Sequence, residues 1–218
     1  MSLKKKLFDI WQLVPEDVRI PIDILRRLPR WKKEGIIFIH VPKNAGFSFS
    51  QALYGRPLGH FRAYDVRKVC PKSFLNLFTF GVVRHPISRL YSAYKFAVNG
   101  GTLNMGIKDS QKYQSNAFSS FDHFVVDWLT KQTLTNIDGI FQPQYFFLCD
   151  NEKIIVDEIL YFEKFNNKKK ILLDKKKKEI VLDVYNKSTG KQLGKCSKET
   201  IQIIHKIYQK DFEIFKYK

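Results

Sequence analysis

The stretch from Gly35 to Tyr54, GIIFIHVPKNAGFSFSQALY, constrains this chain more than any other. Its opening run, Ile36-Ile37-Phe38-Ile39-His40-Val41, is short, apolar and rich in β-branched residues, and it is bounded by Gly35 and Pro42. A run of that length and content predicts a strand buried on both faces, as in a parallel sheet. Pro42-Lys43-Asn44-Ala45-Gly46 then reads as a tight turn, and Phe47-Ser48-Phe49-Ser50-Gln51-Ala52-Leu53 as the first turns of a helix. A strand, a turn holding Lys and Gly, and a helix N-terminus together build an anion site. The first N–H groups of a helix have no acceptor within it, and the helix dipole adds a positive field at the same end. The plainer alternative is an ordinary strand-to-helix turn with a solvated lysine.

A second stretch repeats the arrangement. Phe78 to Val83 is again an apolar run, Arg84 stands at its end, and Pro86 follows near a helix start, where the fixed φ of proline is tolerated. Ser92 comes eight residues after Arg84, about two turns along a helix of ~3.6 residues per turn. That spacing places Arg84 and Ser92 to reach one phosphate from two sides. A guanidinium supplies a rigid fork for phosphate oxygens that lysine cannot match. Taken alone, Arg84 fits a surface ion pair equally well.

Two such crossovers in 218 residues predict one α/β domain with room for a sizeable core. Apolar residues at 44% and aromatics at 15% exclude a disordered chain. Lys and Arg number 38 against 21 Asp and Glu, leaving +17, which calls for anionic partners. The three cysteines, Cys70, Cys149 and Cys196, are odd in number and far apart, which suits reduced thiols rather than a disulfide framework. No apolar run approaches the ~18 residues of a membrane span, and Lys4-Lys5-Lys6 lacks the apolar core of a secretory signal. The expectation is a soluble, cytoplasmic protein.

The loop is not a Walker A motif, because Lys43 precedes the single Gly46 instead of following a second glycine. Pro-Lys-x-x-Gly-x-Ser, Pro42 to Ser48, instead resembles the phosphosulfate loop of sulfotransferases that use 3′-phosphoadenosine 5′-phosphosulfate (PAPS). Val-Arg-His-Pro-x-x-Arg-Leu-x-Ser-Ala-Tyr, Val83 to Tyr94, resembles the segment of those enzymes that holds the 3′-phosphate. The resemblance covers roughly residues 35–217, including a closing Tyr-x-x-Asp-Phe at Tyr208 to Phe212. It implies a three-layer, P-loop-like α/β domain over residues 35–218, its central parallel sheet flanked by helices, after a basic amphipathic arm of residues 1–34. It also implies PAPS as donor, adenosine 3′,5′-bisphosphate as product, and no metal. The cofactor contacts so implied are Lys43, Asn44, Ala45, Gly46, Phe47, Ser48, Arg84 and Ser92. The family commonly has Thr after the Lys and after the Gly, where this chain has Asn44 and Phe47. Phe47 can offer only its backbone, which leaves Ser48 to supply the hydroxyl.

His60 stands just after the first crossover, a placement similar to that of a histidine in the heparan sulfate 2-O- and 6-O-sulfotransferases. An imidazole with an ordinary pKa near 6.5 suits removal of a proton from an acceptor hydroxyl. The implied catalytic pair is therefore Lys43 and His60, Lys43 stabilising the leaving bisphosphate. A packed ring or a helix cap is the plainer reading of a lone histidine, and His40, His85, His123 and His205 are read that way. Gln142 and Gln144 lie in a Pro-Gln segment like the one near the acceptor in glycan sulfotransferases, and so are expected to hydrogen-bond sugar hydroxyls. Ordinary loop amides are the alternative. Glu163, at the end of a later strand, is left between an ion pair and a chemical role. The resemblance also implies Lys191 or Lys195 as a further contact to the 3′-phosphate. The lysine run from Lys168 to Lys178 reads first as a solvated helix face, with steering of an acidic glycan, a phospholipid or nucleic acid as the alternative.

The partners implied are PAPS and a carbohydrate or glycolipid acceptor. No nucleic-acid signature is present. Residues 1–34 read first as an arm packed on the domain, with peripheral membrane contact as the sharper alternative. Two other functions stand beside sulfuryl transfer: a P-loop-like nucleotide kinase or phosphotransferase, and a non-catalytic glycan- or membrane-binding module.

Overall fold

In the computed structural model, β1 (Ile36–Ile39), β2 (Phe78–Val83) and β3 (Glu158–Tyr161) form a parallel sheet with β2 in the centre. The structure describes residues 10–11, 13–102, 105–107, 110–165, 170–173, 178–182 and 196–218. Ile36 pairs with Phe78, and Phe80 with Glu158, so the strands run level and end on one edge. Thr79 ties the start of β2 to β3, because its N–H and hydroxyl both donate to Asp157 Oδ2 at 2.7 and 2.8 Å.

Side chains alternate across β1 and β2 with the strand period of two. Ile37, Ile39 and Val83 enter one core with Trp31, Val66 and Leu148. Ile36, Phe38, Phe80 and Val82 enter another with Phe49, Leu53, Leu173 and Ile180. Both faces are therefore covered, which is why these strands are continuous apolar runs. Helices α1 (Glu16–Glu34) and α3 (Ala63–Val69) supply the first cover, and α2 (Gly46–Tyr54) the second. Gly35 closes α1 at φ 68 and donates to the Lys32 and Trp31 carbonyls, and the glycine lets the chain reverse directly into β1. Ile24 and Trp31 on α1 are buried against the domain.

After α4 (Pro71–Asn76) and β2, the Pro86 junction starts α5 (Pro86–Val98). One side of α5 buries Leu90, Ala93 and Tyr94 in a third, aromatic-rich core with Phe118, Phe124 and Phe141. After it come a short α-turn capped by Ser120, a π-helical turn, Phe124–Trp128, and a 3₁₀ turn. The chain closes through α6 (Tyr145–Leu148), α7 (Lys198–Ile207) and α8 (Gln209–Ile214).

Of the lysine run, the two described lysines, Lys170 and Lys178, stand in strands and not on a helix. β4 (Lys170–Leu173) and β5 (Lys178–Val181) pair antiparallel, and the buried Leu173 and Ile180 hold this hairpin to the α2 side of the sheet. Charge suggested a solvated surface, but the apolar residues between the lysines decide the structure. Lys168, Lys169, Lys175, Lys176 and Lys177 lie outside the described residues. No described helix is long and apolar enough to cross a membrane.

Candidate active site

From β1 the chain enters α2 through a strained turn. Lys43 has φ 72 and Ala45 φ 59, left-handed conformations that L side chains rarely adopt. Bends of this kind turn successive N–H groups inward as an anion nest. Ala45 occupies the N-cap of α2 and no side chain caps the helix, so its positive end is left to an outside acceptor. The need for glycine at 46 is steric. A Cβ there would lie 1.7 Å from Cδ2 and 1.9 Å from Nε2 of His40, whose ring rests on the helix start.

The second junction grips the first. Arg84 donates from Nη1 to the Lys43 carbonyl at 3.4 Å and from Nε to Ser88 Oγ at 2.9 Å, and its guanidinium lies 4.5 Å from the centre of the Phe162 ring. Arg89, only 1% exposed, donates from Nε to the Pro42 carbonyl at 3.0 Å and from Nη1 to the Gln142 carbonyl at 2.8 Å. Its Nη2 is buried with no partner among the described residues. Lys43 and Arg84 therefore share one site, as a ligand spanning both motifs requires. Ser88, in the first turn of α5, holds Arg84, and Ser92 lies half-buried one turn further along.

The site is electrostatically unbalanced. Burial, then Arg84 and Arg89, push the Lys43 ammonium down to about 8, and its Nζ lies 3.9 Å from the centre of the Phe96 ring. Burial likewise lowers both guanidiniums, with Glu163 opposing at Arg84 and Asp211 at Arg89. Three cations crowded at an uncapped helix start favour an entering anion.

Behind this surface runs a buried amide network. Asn44 is fully buried, and its Nδ2 donates to the Val82 carbonyl and to Gln144 Oε1, each at 2.8 Å. Its side chain thus ties the loop to β2, which leaves only its backbone to face a phosphosulfate. Gln144 is also fully buried. Its Oε1 accepts from the Arg84 N–H at 2.9 Å as well, and its Nε2 donates to the Arg84 carbonyl at 2.8 Å. A sugar hydroxyl cannot reach an amide so enclosed, so Gln144 is a brace and not an acceptor ligand. Gln142 is half-buried. Its Oε1 accepts from Arg62 at 3.3 Å, and its Nε2 donates to the Thr135 and Ile137 carbonyls.

Asp211 anchors the network from α8, its two oxygens accepting from the Gln144 and Tyr145 N–H groups, each at 2.9 Å. Burial pushes its carboxyl up to about 6, against the pull of those donors and Arg89. Tyr208 adds a 2.7 Å bond to the Phe141 carbonyl. Glu163 braces as well, accepting from the His85 N–H and the Tyr217 hydroxyl.

His60 opens to solvent although dense protein surrounds its ring, as in a side chain lining a concavity. Its Nδ1 lies 3.1 Å from the His40 carbonyl, and the two rings are 4.1 Å apart. A carbonyl only accepts, so Nδ1 carries the proton and Nε2 keeps its lone pair. Burial foremost lowers the pKa and keeps that ring neutral. His40 is 7% exposed, and burial holds it well below the ordinary imidazole range. His85, His123 and His205 pack or hydrogen-bond locally.

Arg89 and Asp211 escaped the sequence reading as members of the site. The signal for Arg89 was an arginine on the apolar face of α5, between Ile87 and Leu90. Lys191 and Lys195 lie outside the described residues. No curated protein and no solved structure matches the chain. A family model described as the sulfotransferase family matches residues 29–218, which includes both junctions, the buried network and α8, and the chain belongs to that family.

Proposed function

We propose that this protein transfers the sulfuryl group of PAPS to a hydroxyl of a carbohydrate or glycolipid acceptor. The observation that carries this reading is the bond from Arg84 to the Lys43 carbonyl, which makes the two junctions one cationic cradle beside the uncapped start of α2. PAPS, when bound, supplies the sulfuryl group on a phosphate leaving group. Lys43 and the loop amides from Asn44 to Ser48 suit its phosphosulfate end, and Arg84 and Ser92 its 3′-phosphate. The buried, unpartnered Nη2 of Arg89 adds positive charge on the same loop.

His60 takes the acceptor proton at Nε2 as the acceptor oxygen bonds to sulfur, and later releases it to water. Lys43 offsets the negative charge that develops on the departing phosphate oxygen as the sulfur–oxygen bond breaks. Its pKa of about 8 keeps it mostly protonated at neutral pH and ready for that task. Acceptor selection falls to the surface around His60 and Gln142.

The test is transfer of [³⁵S]sulfate from labelled PAPS to a panel of glycans and glycolipids. Lys43→Ala should lower the rate roughly 10²–10³-fold, as for loss of one preorganised donor. His60→Ala should lower it roughly 10²–10⁴-fold, with circular dichroism unchanged. Transfer by folded Lys43→Ala at the wild-type rate would overturn the assignment of that residue. Failure of every acceptor hydroxyl to be labelled would overturn the activity.

A further inference from the structure

Helix α1 has a second surface that the sulfuryl-transfer site does not use. Ile24 and Trp31 bury one stripe of it in the domain. A different stripe, Val18, Ile22 and Leu25, follows the i, i+4, i+7 spacing of one helix face, yet these residues are 49%, 39% and 51% exposed. Just before the helix, Ile10 and Leu13 are 62% and 82% exposed. Isolated apolar residues at a surface are ordinary, but three on one helix face, with two more exposed just before it, make a surface that water disfavours.

Charge complements the patch. From Arg26 to Lys33 the helix carries five basic and no acidic residues. Arg26, Arg27 and Arg30, with Arg56 from the loop after α2, line a hollow of about 270 Å³ together with Trp11, Asp23 and Leu58. Asp23 pairs with Arg26 at 3.9 Å and Arg27 at 3.6 Å, and Arg27 also donates to the Leu58 carbonyl. Arg30 and Arg56 have no acidic partner among the described residues. Trp11 is held in this lining, its indole N–H donating to Asp23 and its ring 6.0 Å from the Arg26 guanidinium.

We propose that this face of α1 docks on an anionic lipid surface, with Val18, Ile22 and Leu25 entering the interface and the arginine hollow holding a lipid phosphate. Apolar insertion beside clustered basic charge and an interfacial Trp is the combination by which a helix lies in a membrane surface without crossing it. A soluble acidic glycan would satisfy the arginines, but it would leave the apolar stripe in water. Docking of this kind is independent of the acceptor used at the sulfuryl-transfer site.

The experiment is co-sedimentation of the full chain with phosphatidylglycerol–phosphatidylcholine vesicles and with pure phosphatidylcholine vesicles. Binding should require the anionic lipid. Arg26→Ala/Arg30→Ala should weaken it about 25-fold, roughly fivefold per basic residue removed at an anionic surface. Leu25→Asp should weaken it at least about tenfold through lost apolar burial. Lys72→Ala/Lys153→Ala removes the same charge from exposed sites outside α1 and should change binding less than threefold, which separates docking from the field of the whole molecule. All variants alter exposed side chains, and thermal melts confirm their fold. Equal losses for the two double variants, or wild-type binding by Leu25→Asp, would overturn the proposal. So would Arg26- and Arg30-dependent binding of soluble inositol hexakisphosphate without vesicle binding, which would assign the hollow to free polyanions.

Discussion

Replacing Gly46 with Ala tests the packing beneath the site in one methyl group. The added Cβ would meet His40 at 1.7 Å from Cδ2, 1.9 Å from Nε2 and 2.6 Å from Cγ. Unstrained carbon contacts begin near ~3.5 Å, so the ring must retreat by more than about 1 Å. It has little room, being 7% exposed, stacked on Phe38 at 5.8 Å and set 4.1 Å from the His60 ring. Overpacking of this kind costs about 1–3 kcal/mol. For a chain of 218 residues that lowers Tm by roughly 2–12 °C. The strain also reaches His60, whose Nδ1 is held by the His40 carbonyl, so activity should fall further than stability alone explains. Urea unfolding of Gly46→Ala, His40→Ala and the double variant measures the coupling directly. The double variant should recover most of the loss caused by Gly46→Ala, a non-additivity of about 1–3 kcal/mol. Additive effects, or a Gly46→Ala protein within about 0.5 kcal/mol of wild type, would refute the steric argument.

Other outcomes follow from the charges and the buried network. The Lys43 pKa of about 8 means that affinity for adenosine 3′,5′-bisphosphate should be flat between about pH 7 and 8, where both phosphates are fully ionised, and fall nearly tenfold per unit above it, as Lys43 in the unliganded protein loses its proton. Lys43→Arg should flatten the profile to pH 10, and a wild-type affinity constant from pH 8 to 9.5 would contradict the assignment. Arg89→Lys should cost roughly 2–4 kcal/mol in urea unfolding, because lysine cannot serve the Pro42 and Gln142 carbonyls together. Gln144→Ala strips acceptors from the Arg84 N–H and the Asn44 amide, and it should weaken bisphosphate binding without touching ligand. Unchanged binding in folded Gln144→Ala would remove its role as a brace.

How much of this was legible depended on whether a residue's role is local. Both junctions were, since a buried strand and the turn after it are written in consecutive residues: Phe78–Val83 forms the strand expected, and α5 begins at Pro86. Lys43 and Arg84 share a site because the parallel register of β1 and β2 brings the two turns to one sheet edge. The network behind them was not legible. Asn44, Gln144 and Asp211 are 100 and 67 residues apart in successive contacts, and nothing local to an amide shows whether it faces ligand or core. Gln144 was therefore read as a sugar ligand when its polar atoms serve the backbone of Arg84. The lysine run failed for a related reason. A count of charges carries no sign of the antiparallel pairing that residues 170–173 and 178–181 make.

The central claim is that one cradle grips both ends of a nucleotide carrying two phosphates. Isothermal titration of adenosine 3′,5′-bisphosphate against adenosine 5′-phosphate, in wild type and Arg84→Ala, tests it most directly. Wild type should prefer the bisphosphate by roughly 10–100-fold, the worth of a charge-assisted contact, and Arg84→Ala should abolish that preference while still binding the monophosphate. Equal affinities for the two ligands in wild type, or a preference that survives in Arg84→Ala, would contradict the account.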